Sequence, residues 1–216
     1  MNKNISLKTI TNAVLYSLLL FFIYLIILIT IQYIPINYDI AFLSIKQEQI
    51  QYTHYKIAFF IHVYTSIFVL ITGSTQFSNY IRLHHKKLHH IFGKIYIAII
   101  LLFAAPSGLL MGFYANGNLI SKFSFCLLAI LWFHFTLYAY IEVKKQNYLQ
   151  HQKFMIRSYA LTLSAISLRL FKYIIVNLFH TAPMDTYILV SWLGWTFNLI
   201  IAEIIIGKML SSKSKQ

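Results

Sequence analysis

The chain has 216 residues and a formal net charge of +13, with 59% hydrophobic, 17% aromatic and only 11% charged residues. A soluble domain of this size carries more charge and less apolar side chain, so the composition places the chain in a membrane. Its cations sit in short stretches between apolar runs, which points to anionic lipid headgroups as partners and excludes nucleic acid.

Crossing roughly 30 Å of hydrocarbon at about 1.5 Å per residue takes about 20 residues of helix. Six apolar segments meet that length: about 10–34, 56–77, 92–114, 122–143, 154–179 and 187–210. The first lacks a small-residue cleavage site and is followed by further spans, so it reads as a retained helix and not a signal peptide. The longest connection, 35–55, contains Asp39, Lys46 and Glu48 and has room for a short interfacial helix. The second span carries His62 and ends near Gln76. Next comes "IRLHHKKLHH", Ile81 to His90, with four of the nine histidines.

Pro106 lies inside the third span, where it bends the helix, and Gly108 and Gly112 after it permit close approach of a neighbour. The fourth span holds His134 and the single cysteine, Cys126, so a disulfide framework and a thiolate metal cluster are both excluded. On the fifth, Ser158, Thr162, Ala165, Arg169 and Lys172 form a small and polar stripe at helical spacing, a face expected to point inward. The sixth carries Trp195, Asn198 and Glu203. Tyr33, Tyr114 and Tyr187 near span ends suit an interfacial aromatic belt. The expected fold is one all-α integral membrane six-helix bundle over residues 1–216.

The excess of Lys and Arg marks the cytoplasmic side. Lys3, Lys8, Arg82, Lys86, Lys87, Lys94, Lys144, Lys145, Lys153, Lys208, Lys213 and Lys215 fall on one side, against Lys46, Lys56 and Lys122 near the edges of the other. Both termini are therefore expected in the cytoplasm.

Charged groups at membrane depth mark a bundle interior, a pair or a site. Counted along the helices, His62 and Arg169 both fall in the outer third and are expected to meet. Arg169, Gln76 and Asn198 are candidates for lining a polar cavity, while Lys172 snorkels outward. Arg157 and Glu203 lie at similar depth near the inner face, as a structural ion pair would. A membrane haem b needs axial ligands from two helices at matched depth. His89 and His151, heading the third and fifth spans, are the best such pair and the candidate metal ligands. His62 and His134 come next, offset by roughly 9 Å; His134 reads equally as an interior residue bonded on a semi-polar face with Tyr138 and Glu142. His85 and His89 are four apart, as are Lys86 and His90, but two imidazoles without a nearby carboxylate do not complete a zinc site. No phosphate loop, nucleophile elbow or close carboxylate pair is present.

Several ordered stretches carry a resemblance: His62 with "ITGSTQF" (71–77), Arg82, "LHHIFGKIY" (88–96), "PSGLLMGFYANG" (106–117), "HQKFMIRSYALTLSAISLR" (151–169) and "WLGWTFNLIIAE" (192–203). Over about residues 57–206 the chain resembles a family of bacterial multipass membrane proteins of unknown function. In that family the stretch at Leu88 usually reads Leu-His-Arg, so His89 is the matching position and His90 replaces an arginine. The resemblance implies an inner-membrane location and a shared pattern of His62, Gln76, Arg82, His89, His151, Arg157, Arg169 and Glu203, but no reaction. His84, His85, His134 and His180 match none of its motifs. The layout is also similar to the four-helix haem core of b-type membrane cytochromes, although the histidine spacing here is uneven. The function expected is a haem b or quinone redox carrier, with His89 and His151 as haem ligands and His62 with Arg169 holding a quinone. The alternatives are a small-molecule or ion transporter, or a non-catalytic accessory protein; whether the chain is an enzyme, and its oligomeric state, stay open.

Overall fold

Lipid offers no hydrogen-bond partner to a backbone, so a chain this apolar coils and satisfies its own amides. The computed structural model describes residues 7–213, with the side chains of residues 7–9, 12, 212 and 213 excepted; Lys3 and Lys215 lie outside the described residues. Helices α1 (Leu7–Ile31), α2 (Thr53–Gln76), α3 (Asn79–His84) and α4 (Lys86–Ile99) are followed by a π-helical segment (Ile100–Ala104). Then come α5 (Ala105–Phe113), α6 (Asn118–Lys144), α7 (Tyr148–Thr162), α8 (Ser164–Phe179) and α9 (Pro183–Lys213). No strand occurs among the described residues, so the fold is an all-α bundle. Five helices are long and apolar enough to cross a membrane, with α4 to α5 counted as one; the pair α7–α8, bent by 41°, brings the number to six when taken as one span.

Local chemistry sets the helix ends. Ser78 Oγ accepts from the Ile81 N–H and starts α3, and Asn147 Oδ1 accepts from the Gln150 N–H and starts α7. Before α6, Gly117 takes a left-handed φ of +80°, and a β-carbon there would lie 2.7 Å from Ser121 Oγ. His180 ends α8 in the same left-handed region. The connection from Tyr33 to Tyr52 forms two short 3-10 turns, Ala41–Ile45 and Gln49–Gln51, where the sequence left room for an interfacial helix. An Asx turn from Asn37 to the Asp39 N–H and the left-handed Ala41 break the helical path.

That connection folds onto the bundle. Leu43 and Ile50 pack with Tyr33, Tyr55 and Phe59, and Lys46, 1% exposed, donates to the Tyr114 carbonyl and to Asn116 Oδ1. This latch puts residues 33–52 and the turn at 114–117 on one face, here the Lys46 face. Gln76, His89 and His151 mark the other, the His89 face. Tyr33, expected as a lipid anchor, is instead buried, because the folded-back connection covers it.

The π segment matters for phase. Tyr96 and Ser107 are eleven residues apart, close to three α-helical turns, and a continuous α-helix would set them on one side. The wider turn absorbs one residue, worth about 100° of rotation. Tyr96 therefore faces α7, while Ser107 and Gly108 face His62 on α2. Pro106 follows immediately and has no N–H to offer the carbonyl of Leu102.

Candidate functional site

A buried hydroxyl network joins three helices at mid-bundle. The Tyr96 hydroxyl on α4 lies 2.9 Å from Ser158 Oγ and 3.0 Å from Thr162 Oγ1 on α7. From α6, Thr136 Oγ1 meets Ser158 Oγ at 2.7 Å and the Trp132 indole N–H donates to Thr162 Oγ1 at 3.1 Å. Tyr96, Ser158 and Thr136 are fully buried. Each hydroxyl both gives and accepts, so no polar atom of the set is stranded in the core. Ser158 and Thr162 belong to the polar stripe seen in the sequence; their partners Tyr96, Trp132 and Thr136 carry no signal in spacing, because an aromatic or a threonine in an apolar helix looks the same with or without a bond.

The network fixes the register of the histidines on the His89 face. His89 precedes Tyr96 by seven residues and His151 precedes Ser158 by seven, and both helices run away from this face. Seven residues are two turns, so the contact at mid-bundle sets the two histidines at one depth, about 10 Å nearer the His89 face. Their charges lie close enough to interact. His151 Nδ1 stands 2.7 Å from the Ala139 carbonyl, which makes it the N–H donor and leaves Nε2 a lone pair. Gln76 reaches His89 from α2. With its amide nitrogen turned toward that ring it donates to His89 Nδ1 and to the His89 carbonyl, both at 3.3 Å, and accepts from the Gly93 N–H.

On the other side of the network His62 Nδ1 donates to the Ala104 carbonyl at 2.8 Å, at the end of the π segment, with Ser107 Oγ 3.4 Å away. Gly108 is tight against the ring: a β-carbon there would lie 3.0 Å from His62 Cε1. Trp132 stands edge-on to His62 at 6.5 Å between ring centroids, so His62 abuts the hydroxyl network. Arg169 interacts electrostatically with His62 and with Tyr33. Its hydrogen bond goes to its own helix, Nη1 to the Ala165 carbonyl at 2.6 Å, and no carboxylate among the described residues pairs with it.

Asn198 serves the bend between α7 and α8. The break at Leu163 frees carbonyls in the last turn of α7; Asn198 Nδ2 donates to the Ala160 carbonyl at 3.1 Å and its Oδ1 accepts from Ser167, while Ser164 Oγ caps Leu161. Gln76 stands beside His89, while Asn198 bonds Ser167 of α8 and Arg169 bonds Ala165. Arg157 and Glu203 form a bidentate pair, 2.6 and 2.8 Å, with the guanidinium over the Phe135 and Phe154 rings.

The remaining histidines lie apart. His134 is exposed on the outside of α6, its ring tilted against Tyr138 at 4.4 Å between centroids, and not interior. His85 interrupts the path between α3 and α4, so it and His89 do not share one continuous helix. Among the described residues no three of His, Cys, Asp and Glu converge as a metal site would require.

A family model described as "Predicted membrane protein (DUF2306)" matches residues 59–206, more than half of the chain. No curated protein and no solved structure matches.

Proposed function

We propose that the chain, which belongs to the family of predicted membrane proteins (DUF2306), is an electron-transfer protein that holds a b-type haem between α4 and α7 through His89 and His151. The observation that carries this reading is the two-turn register set by the Tyr96–Ser158 bond, which puts two imidazoles on parallel helices at one depth. His151, its Nδ1 proton engaged by the Ala139 carbonyl, offers the lone pair an iron ligand needs. Ligation through His89 Nε2 would require the Gln76 amide to turn by half a turn and accept the Nδ1 proton, giving up its bonds to the His89 carbonyl and the Gly93 N–H. A haem there would supply a one-electron couple, with the basic residues of the His89 face drawing anionic partners and headgroups.

The same charge asymmetry supports an orientation with the His89 face and both termini in the cytoplasm, which we propose for a location in the bacterial inner membrane. An alkaline phosphatase fusion at the C-terminal end, inactive in that location, tests the orientation.

The test of function is the absorption spectrum of detergent-purified protein from cells fed haem precursor, before and after dithionite. A Soret peak with sharp reduced α and β bands, lost in His89→Ala and in His151→Ala, is the expected result. A folded protein with no visible absorption overturns the haem reading and leaves a small-molecule binder or an accessory protein.

A further inference from the structure

Arg169 is the charge the inner histidine pair leaves unexplained. Its position follows from a packed layer below it: Ile166 of α8 shares one apolar cluster with Ile23 and Ile26 of α1 and Leu70 of α2. One to two turns toward the Lys46 face, these helices present Arg169, then Thr30 and Tyr33, then Ser66 and His62. Thr30 and Ser66 spend their hydroxyls on carbonyls of their own helices. Tyr33 is held by two bonds, its carbonyl accepting from the Tyr64 hydroxyl at 3.1 Å and its hydroxyl oxygen accepting from the Phe42 N–H at 3.2 Å. The Tyr33 O–H proton itself has no acceptor in those bonds, and His62 keeps Nε2 free because Nδ1 is engaged.

Arg169 is exposed one turn beyond the layer in which α8 meets α1 and α2. It is flanked on its own helix by the exposed apolar side chains of Leu170, Tyr173 and Ile174. It lies ten residues before the end of α8 at Phe179, about 15 Å along the helix, so this junction faces lipid and not bulk water. The chain has five carboxylates. Glu203 is taken by Arg157 and Glu142 by Lys145 and Asn147, while Asp39, Glu48 and Asp185 lie in the connections or at the first turn of α9. A guanidinium has five N–H donors and keeps its charge at any working pH, and leaving it without an anion in an apolar layer is costly.

We propose that the junction of α1, α2 and α8 at Arg169 and Tyr33, bordered by His62, is a binding site for the oxyanion head of an acyl-chain amphiphile that enters from the lipid. The guanidinium fork takes two oxygens of a carboxylate or phosphate side by side, and the Tyr33 O–H supplies a further donor. The acyl chain runs along the apolar surface of α1 and α8. His62 stands on the inner side of the junction, where its contact with Trp132 leads to the mid-bundle hydroxyls. The site is separate from the His89–His151 pair and does not depend on haem.

The test is binding to the delipidated full chain in detergent, by native mass spectrometry, of three probes: oleate, methyl oleate and dioleoylphosphatidylglycerol. An oxyanion probe is expected to bind, and Arg169→Gln to weaken it by about tenfold or more, the usual scale for losing a hydrogen-bonded charge. Arg169→Lys, which keeps the charge and removes the fork, is expected to bind more weakly than the parent and serves if the glutamine variant does not fold. Preference for oleate identifies a free carboxylate, and preference for phosphatidylglycerol identifies a phosphodiester headgroup. Equal binding of methyl oleate, or unchanged affinity in both Arg169 variants, overturns the proposal.

Discussion

Tyr96 on α4 and Ser158 on α7 touch through their hydroxyls at 2.9 Å, so the residues two turns away on each helix, His89 and His151, are set at one depth on neighbouring helices. This relationship is testable without any ligand. In a Cys126→Ala background, His89→Cys with His151→Cys should be bridged by a short bifunctional maleimide, detected as an intramolecular mass shift. Leu88→Cys with His151→Cys, rotated about 100° on α4, should not be bridged. Equal cross-linking in both pairs would remove the basis of the haem reading.

Gly73 on α2 is where two tyrosines close over a backbone. A β-carbon there would lie 2.5 Å from Tyr159 Cε2 and 2.8 Å from Tyr96 Cε2. Both rings are packed in the core, so neither can swing away cheaply. Gly73→Ala should cost about 1–3 kcal/mol and lower the detergent melting temperature, whereas Gly207→Ala, with nothing within 4 Å of the new carbon, should leave it unchanged or raise it.

The Arg157–Glu203 pair predicts non-additivity. Glu203→Leu leaves the Arg157 cation uncompensated in the apolar layer and Arg157→Leu strands the carboxylate, so each alone should lower thermal stability. The double change to leucine removes both charges and should recover most of the loss. Additive losses would mean that the pair is not coupled.

Lys46 gives a pH signature on the opposite face. Burial, aided by the nearby charge of Lys122, pushes its ammonium down to about 8 from an ordinary value of 10.5. The unfolded chain then holds this proton over a range where the folded one has lost it, so stability rises as pH climbs from about 8 to 10.5. Below that window the cost of the buried charge is constant. Lys46→Met should melt at a temperature with a flatter dependence on pH across the window. An unchanged slope would show that Lys46 keeps its ordinary affinity for protons.

Much of the bundle was legible because hydrocarbon imposes one rule: an apolar run of sufficient length coils. The helices nonetheless extend beyond the apolar segments. The third span begins at Lys86, ahead of the expected 92, since an exposed lysine continues a helix while its ammonium stays in water. The fifth begins at Tyr148 and breaks at Leu163, a position with neither proline nor glycine; the break is stabilised from outside the helix by Asn198, and no pattern within residues 154–179 announces it. Residue type and depth were enough to pair Arg157 with Glu203, because a charge in lipid has few partners. They were not enough for Asn198, whose amide serves equally well in a cavity or against a freed carbonyl. The partners of Ser158 were hidden for the same reason.

The π segment at Ile100–Ala104 holds one residue more than a regular helix would use over the same rise. Deleting a single residue there would restore an unbroken α-helix, and by local hydrogen bonding alone the shorter chain would look improved. Every side chain beyond the deletion would turn by about 100° relative to Tyr96. Ser107 and Gly108 would leave His62, and Gly112 would leave Cys126, whose Sγ lies 3.0 Å from where its β-carbon would stand. The supernumerary residue is thus a fixed offset between two contact schedules along one strand of chain, one read by α7 and the other by α2 and α6, and neither schedule survives its removal.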